Sequence, residues 1–221
     1  MRTGAGDALA AGSGRDARRA GALFLSAGLL FLLLNTAAES LYPGYSVQNN
    51  AMSDLAAVGT PTTLVEEAAI LGTGLCWVMG ACLLYRGPGR NLLLALNVLP
   101  GAGFLLAGLS PENVNIAVHS AGALLAFPFG AAAAIQSFRV IRTPLRYFSL
   151  GLGLLSMSAT FVIFFGYRVV GPCGTCSYGA ALDKLGLGLG GWEAMIIYPL
   201  LVWLMGFGGQ LLGQGRVEAT L

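Results

Sequence analysis

The sequence predicts an all-α, polytopic integral membrane protein: a bundle of six transmembrane helices with both termini cytoplasmic. Hydrophobic residues make up 56% of the 221 and charged residues only 10%, and the mean hydropathy is +0.73. A soluble fold cannot hide that much apolar surface. Several apolar runs are long enough to cross the ~30 Å hydrocarbon layer as helices. The arginines fall into alternate connections, which is the positive-inside pattern.

The spans are placed at Gly21–Ala38, Leu64–Leu84, Leu92–Leu109, Ile116–Phe138, Tyr147–Tyr167 and Ala194–Leu212. Arg15, Arg18 and Arg19 precede the first run like the front of a secretory signal, but the run is long and has no distinct cleavage site. It reads as a retained span. The Gly/Ala-rich start, MRTGAGDALAAGSG, belongs to a disordered cytoplasmic tail over residues 1–19. The transmembrane domain then covers residues 20–213, and a short cytoplasmic tail residues 214–221.

The second span opens with Thr63-Leu-Val-Glu66, a capping-box pattern that gives Glu66 and Glu67 a structural role. Cys76 and Cys82 inside it read as small packing residues. Arg86 and Arg90 follow the second span, Arg139, Arg142 and Arg146 the fourth, and Arg216 the sixth. The opposite face collects Glu39, Asp54, Glu66, Glu67, Glu112, Asp183 and Glu193 against Arg168 and Lys184, seven acids to two bases. Pro100, Pro128 and Pro199 interrupt helix hydrogen bonding in their spans, and a kink at Pro199 would open space beside Tyr198. The run LGLGLGG is too short and too Gly-rich for a seventh span and reads as a loop or re-entrant turn.

Polar residues capable of chemistry gather in three stretches on that acidic side. The first, YPGYSVQNNAMSDL, supplies Tyr42, Tyr45, Asn50, Ser53 and Asp54. Its MSDLAAVG portion has the pattern of a short amphipathic helix with Ser53 or Asp54 as cap. If the loop folds inward, Asp54 joins the second stretch, where Glu112, Asn115 and His119 share a helix face at offsets of three and four. His119 is the only histidine, and an ionisable group below the surface of a membrane bundle is a functional candidate. A neutral His that ties helices together by hydrogen bonds is the simpler role. The third stretch, GGWEAMIIYP, supplies Glu193 and Tyr198, with Arg168 as a counter-charge for an acid or an anionic ligand.

A zinc site of three histidines is impossible with one histidine, so only a mixed set with carboxylates or thiolates remains, and no metal or other cofactor is assigned. Cys173 and Cys176 form CGTC in an outer segment, where a local disulfide is the expected state. With a net charge of +2 and no basic groove with interleaved aromatics, nucleic acid is excluded as a partner.

These stretches, YPGYSVQNNAMSDL, SPENVNIAVHSAGALLAF and GGWEAMIIYPLLVWLMGFG, carry a resemblance to the bacterial and archaeal membrane proteins catalogued as domain of unknown function 998. The resemblance covers roughly residues 20–213. Ser110 stands where that family usually has Phe, and Trp192-Glu193-Ala194 where an acid followed by Arg is common. The resemblance implies Asn50, Ser53, Asp54, Pro111, Glu112, His119, Glu193 and Tyr198 as site positions, and it implies no reaction.

The expected function is that of a multi-pass protein of the plasma membrane, with membrane lipids as partners. Its pocket, open to the outer leaflet, would do acid–base chemistry on a lipid, an isoprenoid-like or another hydrophobic small molecule. Glu112, His119 and Asp54 are the expected catalytic groups, and Tyr42, Tyr45, Asn50, Ser53, Asn115, Arg168, Glu193 and Tyr198 the ligand-binding ones. A small-solute or proton-coupled transporter, or a ligand-binding membrane subunit, is the alternative; for transport, Asn97 and Gln136 are the few polar candidates toward the cytoplasmic side. A structural partner protein is the third reading. No oligomeric state is implied.

Overall fold

The computed structural model describes residues 14–85, 91–141, 143–169 and 182–217, with backbone alone at 166–169 and 214–217. Arg86, Arg90, Arg142, Cys173 and Cys176 lie outside the described residues, as do the side chains of Arg168 and Arg216. The long helices are α1 (Gly14–Leu41), α2 (Thr63–Tyr85), α3 (Asn91–Gly108), α4 (Glu112–Ser137), α5 (Leu145–Val169) and α6 (Gly188–Val217), and no strand occurs among the described residues. All 6 are long and apolar enough to cross a membrane.

Each helix packs against its neighbours in sequence, and α6 returns to α1, so the bundle closes into a ring. The seam between α1 and α6 is antiparallel: Gly21 meets Gly208, Gly28 meets Leu201 and Met205, and Asn35 reaches Tyr198. Between α3 and α4 the backbones nearly touch. A Cβ added at Gly103 would stand 2.6 Å from the Gly122 carbonyl oxygen, the close approach that small residues allow where apolar attraction between helices is no greater than to lipid. The Thr73 hydroxyl donates to the Ala27 carbonyl at 3.1 Å, fastening α2 to α1.

Inward faces repeat at helical spacing. Phe24, Ala27, Phe31, Asn35 and Ala38 are the buried side of α1, and Glu66, Ile70, Thr73, Trp77 and Leu84 that of α2. Inside the ring, aromatic side chains follow one another: Phe24 to Phe207 (5.6 Å between centroids), Phe207 to Trp203 (5.7 Å), Trp203 to Trp77 (5.8 Å), Trp77 to Phe104 (6.0 Å) and Phe104 to Phe31 (5.9 Å). The chain of rings begins and ends on α1, so it fills about 10 Å of the axis between the levels of Phe24 and Phe31, with one end of the bundle beyond Phe24 and the other beyond Phe31.

That other end is covered by the long connection between α1 and α2. Its centre is a 3-10 helix, Met52–Ala56, with Met52, Leu55 and Ala56 buried against α1, α2 and α6. The loop therefore folds inward. Asn50 and Asp54 brace it, Asn50 Nδ2 donating to Asp54 Oδ2 at 3.2 Å, while Asn50 Oδ1 accepts the Ser46 N–H at 3.2 Å.

Three expectations need correction. The second half of LGLGLGG is not a loop or re-entrant turn but the first turn of α6. Gly188 has φ +67°, and a Cβ at Gly190 would lie 2.5 Å from the Val47 carbonyl oxygen and closer still to that of Asn50. The glycines there are the surface on which the loop backbone rests. Residues 14–19 are helical rather than part of a disordered tail, with Asp16 in the first turn of α1 paired to Arg19 at 3.8 Å. Likewise α6 runs on to Val217, into residues expected to form the C-terminal tail.

Candidate functional site

The capping box at the start of α2 does not form. The Thr63 hydroxyl donates to the carbonyls of Ala57 (2.6 Å) and Thr60 (3.0 Å), and the Glu66 N–H goes to the Thr62 carbonyl (3.0 Å). With those backbone groups satisfied by the connecting loop, the Glu66 side chain turns inward. It is 0% exposed, and neither carboxylate oxygen has a hydrogen-bond partner among the described residues.

Glu66 faces a cavity of about 40 Å³ beneath the 3-10 helix, which it shares with Ser53, His119 and Glu193 and with the rings of Phe31, Phe104 and Phe127. Glu193, on the first turns of α6, accepts the Met52 N–H through Oε2, with the Ser53 N–H beside it. Free N–H groups at a helix start need such an acceptor, so Glu193 holds the loop's helix over the cavity. His119 is oriented by the end of α3. Its Nδ1 lies 3.1 Å from the Ala107 carbonyl oxygen and 3.2 Å from that of Ser110. Carbonyl oxygens only accept, so Nδ1 carries a proton, and Nε2 is the ring nitrogen these two carbonyls leave unused.

Glu112 and Asp54 stand one step behind. The Ser53 hydroxyl donates to Glu112 Oε2 at 2.9 Å, and the Asp54 side chain lies beside that of Glu112. Asp54 Oδ2 also accepts the Ala51 N–H at 3.0 Å. A second polar group adjoins the cavity, where Asn35 Nδ2 donates to Glu39 Oε1 at 2.9 Å and the Tyr198 hydroxyl to the same oxygen at 3.4 Å. The Tyr45 hydroxyl is buried without a partner among the described residues. Burial first, then the nearby Glu39 and Glu193, raise its pKa far above the ordinary phenol range, so it remains an O–H donor. Tyr42 meets the Tyr45 ring edge-on at 6.1 Å.

Of the expected catalytic groups, His119 lines the cavity, while Glu112 and Asp54 reach it through Ser53. Glu193 lines it, and Tyr45 and Tyr198 adjoin it. Asn115 does not join this group. The helix geometry breaks there (φ −152°, ψ 88°), and its side chain accepts the Val118 N–H at 3.2 Å, starting the rest of α4 as an N-cap. The break separates Glu112 from the His119 face, so the common partner expected from their spacing is not formed. Arg168 lies outside the described side chains, and no described lysine or arginine pairs with an acid of the site. Among the described residues no three His, Cys, Asp or Glu side chains converge as metal ligands.

Glu66, Asn35 and Glu39 were missing from the sequence-based site. Their signal was periodicity: Glu66 lies on the inward face with Ile70, Thr73 and Trp77, and Asn35 on that with Phe31 and Ala38. Neighbouring Asn113 is a loop tether, its side chain accepting the Val58 N–H and donating to the Val58 carbonyl, both at 3.0 Å. Asn113→Ala is expected to lower stability by about 1 kcal/mol, as the loss of exposed hydrogen bonds does, measured by thermal unfolding in lipid nanodiscs.

A closed helical ring with an acidic, aromatic-walled cavity under an inward-folded loop defines a multi-pass membrane protein with a site at one end. The chain belongs to the family described as protein of unknown function (DUF998), whose model matches residues 25–209. No curated protein and no solved structure matches it.

Proposed function

We propose that the protein is a membrane-embedded enzyme that moves protons on a lipid or isoprenoid-like substrate presented from the outer leaflet of the cell membrane. The observation that carries this reading is an imidazole and carboxylates gathered at one cavity. His119, Ser53, Glu66 and Glu193 line it, and Ser53 is hydrogen-bonded to Glu112 behind it. Such groups within reach of one bound molecule are what acid–base catalysis needs. Glu193 and Tyr45 act as binding groups.

The transport alternative needs a polar route along the axis. Aromatic rings pack the middle of that axis, between the levels of Phe31 and Phe24, and Asn97 spends its amide N–H on the Leu93 carbonyl of its own helix. This favours chemistry at one end over passage through the bundle.

The test is conversion of a polar-lipid and polyprenyl mixture by the protein in nanodiscs, followed by mass spectrometry. The wild-type protein is expected to deplete one species, and Glu112→Gln and His119→Ala to slow that depletion by about 10²-fold or more. Equal turnover in both variants, or a lipid profile unchanged by the wild type, overturns the proposal.

A further inference from the structure

We infer that the cavity binds a primary ammonium group, the headgroup amine of an aminophospholipid. This deepens the reading above by naming the substrate's headgroup, and it rests on that reading only for turnover. The independent observation is Glu66, fully buried, lining the cavity, with both oxygens unpartnered among the described residues. An ionised carboxylate in such surroundings is strongly disfavoured without a partner. A protonated one still needs an acceptor for its O–H. Water satisfies the protonated form, whereas a cation is what lets the carboxylate stay ionised.

The kind of cation follows from the walls. No three donor side chains among the described residues converge as metal ligands, which argues against an inorganic divalent ion. A primary ammonium brings three N–H donors, which more widely spaced acceptors can satisfy by hydrogen bonds, and Glu66 and Glu193 both line the cavity with His119. A trimethylammonium group brings none. Phe31, Phe104 and Phe127 supply aromatic surface that favours a cation. Depth selects a lipid over a free amine. At 1.5 Å per residue, Glu66 is about 5 Å and Glu193 about 8 Å inside the starts of their helices, near the level where headgroups meet hydrocarbon.

The experiment is native mass spectrometry of the full chain with short-chain phosphatidylethanolamine, phosphatidylcholine and phosphatidylglycerol, with and without free ethanolamine. The ethanolamine lipid is expected to bind at least about tenfold tighter than the other two. Glu66→Gln removes that preference without weakening the phosphatidylglycerol baseline. Glu193→Gln, which keeps an acceptor for the Met52 N–H, gives the same loss and serves if Glu66→Gln does not fold. Displacement by ethanolamine at equal concentration assigns the site to a free amine instead of a lipid, with the ammonium chemistry intact. Equal binding of the three lipids, or a preference that survives both substitutions, overturns the inference. An ethanolamine preference without turnover would overturn the enzyme reading and leave this one standing.

Discussion

Replacing Gly190 by valine is expected to lift the loop off the bundle and to destabilise the protein by about 3 kcal/mol, the upper range for forcing volume into a packed site. The side chain would be built where the Val47 and Asn50 carbonyl oxygens already sit. Those are backbone atoms that cannot rotate aside, unlike the tip of a long side chain. The loop must move as a unit, and Met52 then loses its hydrogen bond to Glu193. Hydrogen exchange gives the local readout: the Met52 amide should exchange about 10²-fold faster, the equivalent of that free energy. Gly209, around which an added Cβ meets nothing within 4 Å, is the control. Gly209→Ala should leave stability unchanged or raise it by up to about 1 kcal/mol through helix propensity. Wild-type stability and wild-type protection at Met52 in Gly190→Val would show that the loop is not held by this contact.

The six spans were legible because the bilayer imposes a length and a polarity that few other structures satisfy. The site was legible only in part, for reasons specific to each residue. His119 and Glu193 stand out as ionisable groups in apolar runs, and both line the cavity. Glu66 was hidden by a local pattern, since Thr-x-x-Glu before an apolar run describes a capping box equally well. What decided between cap and cavity was whether the loop satisfied the first N–H groups of α2, a long-range fact. Glu112, Asn115 and His119 share a face only if the helix is continuous, and the N-cap geometry of Asn115 breaks it. Gly188 and Gly190 were misread because helix propensity concerns an isolated helix, whereas here the missing side chains make room for another backbone.

Glu66→Met is expected to make the protein more stable, by about 1–2 kcal/mol, because it removes a buried polar group that has no hydrogen-bond partner among the described residues. Methionine has a similar length and a flexible apolar side chain that fits among Phe31, Phe104 and Phe127 without new polar demands. For a chain of this size the gain corresponds to roughly 2–8 °C in Tm, read by thermal unfolding in nanodiscs free of aminolipid. Glu67, partly exposed one position along α2, controls for the loss of a charge near the helix start, and Glu67→Met should give no such gain. The same Glu66→Met protein should lose the selective stabilisation that an ethanolamine lipid gives the wild type, since a ligand stabilises only the folded state that binds it. A structural carboxylate would behave in the opposite way, with its removal lowering Tm in every lipid. The two roles therefore predict opposite signs for one measurement. A buried acid whose loss strengthens the fold and weakens binding is retained for its ligand, in keeping with the general tension between stability and function at buried polar sites.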